Sequence, residues 1–149
     1  MDSKKMCDML CGVGDTSKYL DLSLLLIRLS VAATFIFHGW QKIGAPDQFI
    51  GFFASLGFGA MMFYLVAYVE LLGGIALALG VATRFVGGLF AIIMIVAIWT
   101  VHLKAGFNSM SGGYEFQLLL LICSVSIALV GPGKFSWMMP CHKDKMMKM

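Results

Sequence analysis

Glu70 interrupts an apolar stretch, 61–81, that is long enough to cross a membrane. A carboxylate at bilayer depth is costly and is kept for a function or for a buried partner. Arg28 raises the same question inside an earlier apolar run, and His38, His102 and Glu115 stand at the ends of others. An imidazole titrates near neutral pH and can donate to a carbonyl oxygen. A carboxylate can take the proton onward. Two histidines and a carboxylate at one depth would suit proton handling or the binding of a quinone head group. His38, His102 and Glu115 are therefore the catalytic candidates. Arg28 and Glu70 are expected to form an ion pair in mid-membrane, each charge offsetting the burial of the other. Gln41, Lys42, Trp40 and Tyr114 are candidate ligand-binding neighbours. The same two histidines with Glu115 resemble a metal set, but their spacing is not local and no metal site is assigned. Each residue also has a plain structural reading. A histidine can anchor a helix end at the interface, and Glu115 suits the first turn of a helix for its dipole.

The elements that must position these residues follow from composition. The chain has 149 residues, 60% of them hydrophobic and 13% charged, with a mean hydropathy of +0.88. A soluble domain carries about 25% charge, and a chain this short cannot bury so much apolar surface in itself. Lipid must cover the rest. No basic stripe with interleaved aromatics points to nucleic acid. Backbone groups in lipid must bond internally, so the apolar runs are helices. The expected fold is all-α: a four-helix transmembrane bundle, antiparallel and up-down, with spans at about 20–40, 61–81, 84–103 and 114–130. Residues 20–131 form the membrane domain, flanked by tails 1–19 and 132–149. The acidic residues before the first run argue against a cleaved leader, and the first helix is expected to be retained. Between the first two spans, Phe49, Phe52, Phe53 and Phe58 mark an aromatic interfacial helix or re-entrant piece.

Lys18, Arg84 and Lys134 gather at one face and only Lys42 and Lys104 at the other, so both termini are expected in the cytoplasm and the protein in the cell membrane. His38, His102 and Glu115 then share the far face. Glu70 and Arg28 each lie about ten residues in, or roughly 15 Å deep. Ser30, Thr34 and His38 repeat every four residues; they either line a cavity or, for the hydroxyls, bond their own backbone. Gly74 with Ala78 and Gly87 with Ala91 suit close helix packing.

The cysteines show no disulfide framework, and Cys123 reads as a small core residue. Met6, Cys7, Met9 and Cys11 precede the first span, and Met138, Met139, Cys141 and His142 follow the last. Such soft donors suit copper(I); incidental methionines in a tail are the plainer reading.

Several motifs in order carry a resemblance: Leu26-Ile27-Arg28-Leu29, Phe37-His38-Gly39-Trp40-Gln41-Lys42, Val69-Glu70-Leu71-Leu72-Gly73-Gly74, Leu79-Gly80-Val81-Ala82-Thr83-Arg84, Gly113-Tyr114-Glu115-Phe116 and Gly131-Pro132-Gly133-Lys134. Over about 22–136 the chain resembles the DoxX family of small membrane proteins. The resemblance implies a four-helix protein of the prokaryotic cytoplasmic membrane, linked to quinone-reducing oxidoreductase complexes and to oxidative-stress resistance. It carries over Arg28, His38, Gln41, Lys42, Glu70, Arg84, His102 and Glu115. The expected function is a small subunit or accessory of a quinone-linked redox system, with a soluble or membrane oxidoreductase as partner. No flavin, nicotinamide or haem motif is visible, so electrons are expected from that partner. The rivals are a non-catalytic scaffold that recruits a soluble enzyme, and a small transporter that would work as a homo-oligomer.

Overall fold

Helix backbones come close only where side chains are small, and the glycines of this chain choose its helix pairs. The computed structural model describes residues 17–137. Helix α1 (Ser17–Gly44) leads into a short α2 (Pro46–Ser55), followed by α3 (Ala60–Leu79), α4 (Thr83–Ala97) and α5 (Glu115–Val130). Past α4 the chain continues as a π turn (Ile98–His102) and a 3-10 turn (Leu103–Ala105). A Cβ added at Gly39 of α1 would lie 2.6 Å from the Leu71 backbone nitrogen, and one at Gly74 of α3 would lie 3.0 Å from that of Ile36. Rising sequence on one helix meets falling sequence on the other, so α1 and α3 are antiparallel. Helices α4 and α5 pair likewise, with Gly87 against Ser124 and Ala128. Phe35 of α1 stacks on Phe90 of α4 at a centroid distance of 3.7 Å and joins the two pairs. Leu77, Val86, Met94, Leu120 and Ile127 complete that core.

The Gly39 contact is with backbone, which cannot yield as a side chain can. Gly39→Val is expected to force α1 from α3 at a cost of about 1–3 kcal/mol, read as a lower Tm in detergent. Gly88→Val, where an added Cβ meets nothing within 4 Å, should leave Tm unchanged.

Polarity is inverted relative to a soluble domain. Leu26, Leu65, Leu72, Ile92, Leu119 and Leu129 are exposed, whereas Arg28 and Glu70 are 2% and 3% exposed. Among the described residues, three helical segments are long and apolar enough to cross a membrane, and α5, at 16 residues, is shorter. The expected interfacial segment is the ten-residue α2, with Pro46 at its start and Asp47 in its first turn. Its Phe49 and Phe53 pack on Phe63. The turn from α3 to α4 is tight. It needs a left-handed Gly80 (φ 77°) and a left-handed Ala82 (φ 47°).

Candidate functional site

Glu70 is neutralised from within its own helix pair. Lys42 Nζ donates to Glu70 Oε2, with 15% and 3% of the side chains exposed. The expected Arg28–Glu70 pair does not form. The expectation counted equal depths from the ends of two apolar runs. In the structure α1 continues to Gly44, and the Gly39 and Gly74 contacts set its register against α3. That register brings the last turns of α1 to Glu70. Arg28 instead lies at the opposite end of α3, where its Nη1 would be 3.0 Å from a Cβ on Gly80. There Nη1 donates to the Pro132 carbonyl and Nη2 to that of Phe135. Lys42, expected among ligand-binding residues, is thus the partner of the buried acid.

His102 and Glu115 bracket the loop between α4 and α5, and hydrogen bonds tie both to it. His102 Nδ1 lies 2.7 Å from the Gly112 carbonyl oxygen, and its Nε2 lies 3.0 Å from Gln117 Nε2. A carbonyl only accepts, so Nδ1 carries the proton and Nε2 accepts from the Gln117 amide. Both ring nitrogens are engaged, and the ring ties α4 to α5 and to the loop between them. Glu115 Oε2 accepts from the Ser109 backbone N–H at 3.1 Å, while the Glu115 and Tyr114 N–H groups donate to Phe107 and Gly106. These bonds fold Phe107 back beside α5, edge-on to Tyr114 at 5.5 Å. The result is an open groove lined by Phe107, Ser109, Glu115, Phe116, Leu119 and Ile122, among others. It is apolar along α5 and has a carboxylate and a hydroxyl at its loop end.

His102→Ala would leave Gly112 and Gln117 without partners, and Gln117 Oε1 is already buried without one. The expected result is faster hydrogen exchange of the Gly113 and Tyr114 amides, by the ~0.5–1.5 kcal/mol net worth of a lost hydrogen bond. Helix amides of α1 should not change.

His38 is not part of this cluster. It is exposed on α1, edge-on to Phe37 at 5.8 Å, one turn before Lys42. Among the described residues no hydrogen bond joins it to His102 or Glu115. The expected three-residue constellation therefore divides: Glu115 at the groove, His102 behind it, and His38 beside the Lys42–Glu70 pair. Trp40 and Gln41 are exposed near His38, and Tyr114 is half-buried near Phe107. In the Ser30–Thr34 stripe each hydroxyl donates to the carbonyl four residues back, the second of the two expected readings. Gln117 was missed, although a lone amide just inside an apolar run was a signal for it. The copper-type donors of the tails lie outside the described residues.

Comparisons with known proteins agree with the resemblance. The family model described as DoxX matches residues 23–103. A Bacillus subtilis protein named "Putative oxidoreductase CatD" is 42% identical over 115 residues, covering 77% of this chain and 84% of that one. An uncharacterized membrane protein of Mycobacterium tuberculosis is 32% identical, over 76% of this chain and 78% of its own. An uncharacterized protein of Haemophilus influenzae is 26% identical over 77% and 80%. No solved structure matches the chain.

Proposed function

Because the chain belongs to the DoxX family of membrane proteins, we propose that it serves a quinone-linked redox system as a small accessory subunit. The observation that carries this reading is the groove beneath Glu115. A quinone combines a ring with two carbonyls and an apolar tail. The groove offers the Ser109 hydroxyl and the Glu115 carboxylate at one end, Phe107 and Phe116 beside them, and Leu119 and Ile122 along the outer face of α5. An exposed apolar strip on a membrane helix faces lipid, where such a ligand dissolves. The residues present thus fit the group. When bound, a quinone supplies reversible two-electron, two-proton chemistry. Ser109 would donate to a ring carbonyl, Glu115 would accept or return a proton, and His102 would hold the loop that carries Ser109 in place. The relative named as an oxidoreductase supports a redox setting. In this proposal electrons come from a partner oxidoreductase. All four long helices span the cytoplasmic membrane, and both termini are inside. The membrane domain is 20–131. The 16 residues of α5 reach about 24 Å against a core of roughly 30 Å, and local thinning or flanking residues make up the difference.

The test is quinone content after gentle extraction with native lipid. Wild type should carry quinone above the lipid background. Ile122→Trp, which fills the groove, and Glu115→Gln should each reduce the bound fraction by about tenfold, the effect of one lost polar contact or of a blocked apolar site. His38→Ala should retain it. Loss in His38→Ala with retention in Ile122→Trp would move the ligand to the other end of α1. Background levels in every sample would favour a non-catalytic scaffold.

A further inference from the structure

Hydrogen bonds run in series from the His102 ring to the Glu115 carboxylate. His102 Nδ1–H donates to the Gly112 carbonyl at 2.7 Å, the Gly112 N–H donates to the Ser109 carbonyl at 3.0 Å, and the Ser109 N–H donates to Glu115 Oε2 at 3.1 Å. The series couples positions rather than conducting protons, because its links are amide groups. The other side of the ring is equally specific. With the proton on Nδ1, Nε2 of the neutral ring accepts, and the Gln117 amide at 3.0 Å must present its NH2 group. That orientation leaves Gln117 Oε1 buried and without a hydrogen-bond partner among the described residues. In an imidazolium both ring nitrogens donate, and an amide oxygen is the acceptor that Nε2 would then need. Turning the Gln117 amide over puts Oε1 there.

We propose that His102 and Gln117 form a proton-driven switch that sets how firmly the loop holds Ser109 and Glu115 at the groove. Its bearing on a ligand rests on the groove being the quinone site proposed above. A proton taken up at Nε2 turns the Gln117 amide, and Nε2–H donates to Oε1. The NH2 group takes over the unpartnered place, so the amide itself gains and loses equally. The difference lies in the charge. Both ring bonds become charge-assisted, and such bonds are about twice as strong as neutral ones. The loop is therefore held tighter with the ring protonated, and it loosens as the pH rises through the imidazole range of about 5–8. Charges on the neighbouring elements do not decide this. Lys104 and Glu115 are exposed and opposite in sign, Tyr114 carries no charge in this range, and Arg84, the one charge on α4, lies about 25 Å away along the helix. Linkage is reciprocal. A ligand seated against Ser109 and Glu115, which needs the loop in place, thus increases the protonated share of His102.

The test is nuclear magnetic resonance on full-length protein in nanodiscs, with isotope-labelled histidine and glutamine and no added ligand, titrated from about pH 8 to about pH 5. Nε2 of His102 should change from an acceptor to an N–H signal, and the Gln117 side-chain nitrogen should shift with the same midpoint. Hydrogen-exchange protection of the Ser109 and Gly112 amides, corrected for the intrinsic effect of pH on exchange, should rise by roughly fivefold to tenfold on protonation, the excess of a charged over a neutral bond. Amides of α1 should not follow. In Gln117→Leu the ring still reaches Gly112 but Nε2–H has no acceptor, so the rise should shrink to about twofold or less. A His102 ring that titrates with no change at Gln117 would overturn the proposal, and the wild-type protein alone decides that point. So would loop protection that is flat or falls on protonation, or that follows pH equally in Gln117→Leu. A short-chain quinone is then added at fixed pH. Binding that Ile122→Trp blocks, with no gain in protonated His102, would overturn the coupling. An intact switch with no quinone bound would remove the quinone reading alone.

Discussion

Lys42→Met is expected to lower the stability of the bundle by about 3–5 kcal/mol, because it strands a buried carboxylate. Glu70 is 3% exposed, and Lys42 is its ion-pair partner. The short glutamate stem sits on α3 between the Ala67 and Gly74 contacts with α1, so it cannot swing out to water. The reverse change should cost less. In Glu70→Gln the amide keeps an oxygen for Lys42, and the lysine sits near the end of α1, where its four-carbon stem can carry the ammonium to the interface. Removing both charges with Lys42→Met and Glu70→Leu should recover most of the loss, since apolar replacement of a buried pair is often neutral. A double-mutant cycle on Tm in detergent measures the coupling. Equal small losses for Lys42→Met and Glu70→Gln, with no coupling, would show a solvated pair.

That prediction rests on a partner the sequence did not reveal, and the reason is register. Apolar runs and their glycine punctuation are local signals, so the existence of the helices α1, α3, α4 and α5 was legible, although regular α4 stops at Ala97 and gives way to a π turn. The back-bonding of Ser30 and Thr34 is equally local and was visible as one of two readings. Which residues of two helices lie level is not local. It depends on where Gly39 meets Leu71 and Gly74 meets Ile36, and an end-count along each run assumed aligned ends. The groove was hidden for a related reason. Glu115 was named from its position, but Phe107 and Ser109 join it only because Gly106 and Gly112 take positive φ angles of 81° and 83° and return the loop onto α5. The same turn delivers the Gly112 carbonyl to His102. A histidine that looked catalytic by depth is thereby given two structural bonds. Side-chain type was readable, but the backbone path that supplies its partners was not.

Arg28→Lys should release the segment that follows α5 without unfolding the helices. The guanidinium is buried, and its two terminal nitrogens reach two carbonyls, of Pro132 and Phe135. A planar fork can serve both at once, whereas one ammonium on a flexible stem cannot hold the same geometry. Loss of one charge-assisted bond, worth about 1.5–3 kcal/mol, raises the opening constant of the segment by roughly 10–150-fold. The reporters are built in. The Trp137 N–H donates to the Leu79 carbonyl at 3.0 Å, and the Lys134 N–H donates to Asp21, so both amides should exchange faster while amides in α3 do not. Asp21→Ala is the contrasting change. Its ion pair with Lys134 is solvated on the lysine side, which is 81% exposed, and such surface pairs contribute little. Its effect on Trp137 exchange should be several-fold at most. If Asp21→Ala loosened Trp137 as much as Arg28→Lys did, the surface pair would be the pin, and the buried arginine would need another reason to be there.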